Sequence, residues 1–114
     1  MASKDSFERS LSKIAEIDAS GYQLNSVLAV TEDLIFNEVD GPLAGVPILI
    51  KDNIEALGLP ATAGSLALAE TPVVRDSTIA KRLRAAGATI IGSTNLSEWA
   101  NIRSGKSTSG WSAV

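Results

Sequence analysis

Residues 46–50, Val46-Pro47-Ile48-Leu49-Ile50, form an unbroken apolar run that ends on a charge, Lys51. A run this short suits a strand better than a helix, and the turn signals Asp40-Gly41-Pro42 and Gly45 stand just before it. With no polar alternation, it predicts a strand buried on both faces. Pro47 has no N–H to offer a neighbouring strand, so it belongs at the strand's beginning.

A second buried strand is expected at Ala88 to Ile91, after a helix signal. Ser77 can cap a helix from Thr78 to Ala86, with Ile79, Leu83 and Ala86 inward, Lys81, Arg82 and Arg84 outward, and Gly87 as the stop. Strand, helical crossover and strand make a βαβ unit, whose two strands run parallel. Upstream, Ser3 or Asp5 can cap a first helix that lines up Phe7, Leu11, Ile14 and Ala15 on one face and ends at Gly21. Leu24 to Val30 reads as a strand, and Thr31 caps a short helical turn through Phe36. Leu57 to Val74 is rich in Gly, Pro, Ala and Thr, which predicts irregular chain with a turn of helix near Leu66 to Ala69. Asn95-Leu96-Ser97-Glu98 has capping-box spacing for a helix through Ile102, and Ser104 to Ser112 is a polar loop.

The 114 residues amount to one domain, 45% apolar and 20% charged, the balance of a soluble globular α/β chain. The start, MASKDSFERSL, lacks the apolar stretch of a secretory signal, and no apolar run is long enough to span a bilayer. We therefore expect a cytoplasmic protein with no membrane partner. Lys and Arg are scattered in a chain of net charge −3, so there is no basic stripe and no nucleic-acid partner is expected.

The chain has neither cysteine nor histidine. Disulfides, thiolate sites and Ser-His-Asp or Cys-His arrangements cannot be built within it, and no metal or cofactor is expected. Nothing brings two of the 13 acidic residues together in an apolar pocket, as a glycosidase pair requires. If the segment contributes a proton-transfer group, lysine is the leading candidate. Lys51 stands at the C-terminal end of a buried strand, where open α/β sheets bind their ligands. To act as a base near neutral pH its amine must fall from about 10.4 to about 7, roughly 4 kcal/mol. Burial beside an apolar strand can supply a shift of that size. The competing reading is that Lys51 snorkels to water, paired with Asp52.

The segment GPLAGVPILIKDNIEALGLPATAGS, residues 41–65, resembles the stretch around the catalytic lysine of amidase signature enzymes. DSTIAKRLRAAGATIIGSTNLSEWANIRS, residues 76–104, is similar to the next stretch downstream in that family, and the closing NLSEWANIRSGKSTSGWS looks closest to the branch containing bacterial peptide amidases. The resemblance implies that residues 1–114 are a single truncated N-terminal segment of an amidase domain. Its fold would be part of an α/β/α sandwich with a mixed sheet, containing one βαβ unit and an N-terminal helix.

In that family a Ser-cisSer-Lys triad cleaves amide C–N bonds, and the resemblance implies that Lys51 is its lysine. Both serines and the oxyanion hole fall beyond Val114 in the family pattern, so the segment by itself is expected to be inactive. By the same resemblance Ser107, Thr108 and Ser109 fall where the family lines its substrate pocket, taking a small-molecule or peptide amide. Two alternatives stand beside this reading. One is the amidase subunit of a glutamyl-tRNA amidotransferase, which the closing segment resembles less. The other is a non-catalytic scaffold fragment that forms homo-oligomers, because uncovered edges and apolar faces on the strands around Ile48 and Ile90 favour self-association.

Overall fold

The computed structural model describes residues 4–21, 23–24, 26–31, 36–63, 65–68 and 73–96. They hold two α-helices, α1 (Lys4–Lys13) and α2 (Thr78–Ala85), and three strands, β1 (Val27–Val30), β2 (Pro47–Lys51) and β3 (Thr89–Thr94). The order across the sheet is β1-β3-β2, with β3 antiparallel to β1 and parallel to β2. This is a mixed α/β sheet with an N-terminal helix and a β2-α2-β3 unit, as the sequence predicts. Pro47 opens β2, where its missing N–H breaks no ladder bond.

Burial along Thr89 to Ser93 is continuous, as befits the central strand. The expectation of an uncovered edge at Ile90 is thereby corrected: both sides of β3 are paired, and the outer edges belong to β1 and β2. Gly92 makes the three-strand packing possible. It pairs with Val30 on one side and Leu49 on the other, and a Cβ there would sit 2.5 Å from the Ala29 carbonyl oxygen.

β2 is not buried on both faces. Ile50 is buried against Ala56, Leu59, Ala80 and Ile90, but Leu49 on the opposite face is 38% exposed. Among the described residues, α1 is the element over that face, and a cleft of about 590 Å3 remains beneath it, lined by Arg9, Lys13, Ile14, Pro47, Leu49 and Ile91.

In α2 the Ser77 cap is present, its Oγ accepting from the Ala80 N–H at 3.2 Å, and Gly87 takes a φ of +99° just beyond the helix. The inward stripe, however, is Ala80, Leu83, Arg84 and Gly87, while Ile79 is 50% exposed. One residue of phase separates this from the expected face. The small Ala80 lets the helix sit close to the sheet, and Arg84 is only half-exposed because its Nε donates to Asp76 at 2.9 Å.

The first helix widens where periodicity has it continue. The Ala19 N–H reaches the Ile14 carbonyl five residues back, at 2.9 Å, so Ile14–Asp18 is a π turn. Ala15 is exposed there, while Asp18 is buried. Asp5 lies inside α1 and does not precede it, and Ser3 is outside the described residues. The strand predicted from Leu24 begins at Val27, because the Ser26 and Val27 N–H groups are given to Asp18. The expected turn of helix near Leu66 takes 3-10 form, at Leu66–Leu68. The Thr31 to Phe36 turn falls largely, and the helix after Asn95 almost entirely, on residues outside those described.

Candidate active site

Lys51 is the last residue of β2 and pairs in register with Thr94, the last residue of β3. It thus stands where two parallel strands end together, the place where α/β sheets present ligand-binding groups. Its side chain is exposed, so the apolar cover expected around it does not come from the described residues. That exposure is what the competing reading expects of Lys51, but the surface pairing with Asp52 does not occur. Successive strand residues face opposite ways, and Asp52 is turned inward.

Asp52 and Thr62 are both 0% exposed. The Thr62 N–H donates to Asp52 Oδ2 at 3.2 Å, and the Thr62 hydroxyl donates to the same oxygen. The Ala63 N–H donates to the Asp52 carbonyl at 3.3 Å, and the Asp52 N–H continues the ladder to the Thr94 carbonyl at 3.1 Å. Residues 53–61 therefore form a loop pinned at its base by Asp52. Ala56 and Leu59 from that loop are buried in the core beside Ile50. Ala63 has a φ of +51°, in the left-handed region that non-glycine residues enter at a cost. Two hydrogen bonds to Asp52 hold the chain leading into it, from the Thr62 N–H and from its own N–H.

Ser93, immediately before Thr94, is also fully buried, and its Oγ has no hydrogen-bond partner among the described residues. Ser107, Thr108 and Ser109 lie outside those residues. Sequence reasoning does not single out Asp52, Thr62 and Ser93 as buried polar residues at this strand end. An aspartate after a strand and a threonine ten positions on carry no periodic signal, and only the folded loop makes them neighbours. Among the described residues no group of three or more His, Cys, Asp or Glu is placed to hold a metal ion, and no helix is long and apolar enough to cross a membrane.

The second aspartate with a large local role is Asp18. Burial pushes its carboxyl upward, but the Ser26 hydroxyl and the Val27 and Ser26 N–H groups outweigh that and hold it below the ordinary carboxylate value.

Comparison with known proteins gives this geometry a context. The family described as Amidase matches residues 22–110. Over 72 residues the chain is 51% identical to a probable amidase of Arabidopsis thaliana, a match spanning 62% of this chain and 14% of that protein. It is 45% identical over 84 residues to a glutamyl-tRNA(Gln) amidotransferase subunit of Salinispora arenicola, spanning 74% of this chain and 17% of that one. The solved structure of the native peptide amidase from Stenotrophomonas maltophilia matches 94% of this chain with a TM-score of 0.84 and 38% identity, using 24% of its own length. The chain thus spans less than a quarter of each of these relatives. With the family match running over more than half of its residues, the chain belongs to the amidase family.

Proposed function

We propose that residues 1–114 are the lysine-bearing segment of a hydrolase of carboxylic amides, with Lys51 as its general base and acid. A serine hydroxyl from outside the segment attacks the amide carbonyl, and a second serine relays its proton toward Lys51. The amine leaves with a proton from the same relay, and water then releases the acid from the acyl-serine. The observation that carries this reading is the position of Lys51, at the joint end of two parallel strands and followed by a buried aspartate. Peptide amides are the substrate class favoured by the 38% identity to a peptide amidase over 94% of the chain. Ser107 to Ser109 remain binding candidates in that reading. The cytoplasm is its expected setting.

The segment by itself is proposed to be inert, because a nucleophile and an oxyanion hole are each worth orders of magnitude in rate. The purified 114-residue chain should therefore not hydrolyse a simple peptide amide, and turnover lost on Lys51→Ala would overturn that. In a chain of full family length, Lys51→Ala should cut hydrolysis by orders of magnitude to a small residual rate, and an undiminished rate would end the assignment.

A second reading has support of its own. The 45% identity to an amidotransferase subunit favours glutamine as the amide donor, with protein and tRNA partners. Release of ammonia from glutamine but not from a peptide amide would select it. In either case the outer edge of β2 and the half-exposed Leu49 favour pairing with a second copy of the chain. Sedimentation at micromolar concentration should show oligomers of the 114-residue chain, and a clean monomer speaks against the pairing.

A further inference from the structure

We propose that Asp52, acting through Thr62, is the positioning residue for Lys51; the proposal rests on the amidase reading above. The peptide joining Lys51 to Asp52 is held from two directions. Its N–H is bonded to the Thr94 carbonyl at 3.1 Å, and its carbonyl accepts from the Ile54 N–H at 2.9 Å. Both polar groups of that one peptide are therefore fixed, one by β3 and one by the turn after β2.

A peptide plane held at both ends can still rock if the next residue is free to turn. Asp52 is not free. Its carboxylate takes the N–H and the hydroxyl of Thr62, and its carbonyl takes the Ala63 N–H. The Thr62 carbonyl in turn accepts from the Ser65 N–H at 2.9 Å, and the Ser65 carbonyl from the Leu68 N–H at 3.1 Å. These bonds link Thr62, Ser65 and Leu68 in succession to the residue after Lys51. Burial of both Asp52 and Thr62 at 0% exposure removes water as a substitute partner.

The consequence lies in the direction of one bond. Lys51 is exposed and its four methylenes can rotate, but the Cα–Cβ bond from which they start is set by the locked backbone on its C-terminal side. Rate in a proton relay depends on holding reacting groups within about an ångström of their working positions. Asp52 turns inward and fixes the root; Lys51 turns outward and carries the amine.

The test uses the enzyme at full family length, assayed on a peptide amide. Asp52→Ala should lower kcat by about tenfold to a hundredfold with KM within about twofold. Thr62→Val, which keeps the N–H and the shape but removes the hydroxyl, should lose part of that, and Thr62→Ser should restore it. In a Lys51→Ala background, adding Asp52→Ala should bring no further loss. If it lowers the residual rate by the same factor as in the native background, the two residues act independently and the proposal is overturned. Should Asp52→Ala fail to fold, Thr62→Val decides, and an unchanged kcat there overturns the proposal. A kcat intact in both Asp52 and Thr62 variants while Lys51→Ala falls to its residual rate removes the clamp and leaves the amidase reading standing. An intact kcat in Lys51→Ala removes both.

Discussion

At the end of the N-terminal π turn, Asp18 accepts the N–H and the hydroxyl of Ser26 through Oδ1 and the Val27 N–H through Oδ2. At the end of β2, Asp52 accepts the N–H and the hydroxyl of Thr62, and its own carbonyl takes the N–H of Ala63. The two ends of the fold use one device: a buried carboxylate that gathers the N–H and the side-chain hydroxyl of a residue eight or ten positions later. They differ in what they hold. Asp18 ties a helix to the first residue of an outer strand, and no candidate chemistry lies within that joint. Asp52 ties the end of a parallel strand to the loop over the core, and the next residue back is Lys51. The same local chemistry thus secures a peripheral element in one place and the root of a candidate catalytic side chain in the other.

The comparison is broken most directly by removing the deeper clamp. Asp52→Ala leaves the Thr62 N–H and hydroxyl without this acceptor in a site closed to water, which should cost about 3 kcal/mol of stability in urea denaturation of the 114-residue chain. A loss no larger than that of a surface substitution would show that the loop closes without the clamp.

Asp18→Asn sharpens the comparison by adding pH. The folded-state carboxyl of Asp18 lies below its ordinary value, so its stabilising contribution is complete above the unfolded value of about 3.9 and fades as pH falls through the lower folded value. At pH 7 the substitution should cost about 2 kcal/mol, and the gap to the native chain should narrow in acid below about pH 4. A gap that is constant from pH 7 to pH 3 would mean that Asp18 contributes through shape alone.

Ser77→Ala is the calibration. It removes a single side-chain acceptor at the start of α2, a bond to the Ala80 N–H at 3.2 Å, and should cost about 1 kcal/mol by thermal or urea unfolding. If all three substitutions cost the same, the multiple bonds within each clamp add nothing beyond one.

Much of this fold is legible in the residues themselves. The Ser77 cap, the Gly87 stop, the start of β2 at Pro47 and the parallel pairing of β2 with β3 all come from local chemistry, because each depends on residues adjacent in the chain or on a short crossover. The residues that depart from expectation share a different property. Periodicity puts Ile79 inward, yet Ala80 takes the sheet-facing position, because how closely the helix can approach depends on a strand it does not contain. An unbroken apolar run puts Leu49 under cover, on a face over which α1 leaves a cleft. Among the candidate site residues, Lys51 lies at the strand end as its position in the sequence predicts, but exposed where the chemistry of a base predicts burial.

The sequence by itself determined the order of the described α-helices and strands, the amidase kinship and the identity of the lysine at a strand end, since these are written in contiguous residues. The tertiary structure alone decided that β3 is central and that Asp52 faces inward to Thr62. It also decided that Ile79 and Lys51 face water. The reason is physical: burial and hydrogen-bond partnership are properties of pairs, and here the partners stand ten to more than forty positions apart, at Thr62 and Thr94 for Asp52.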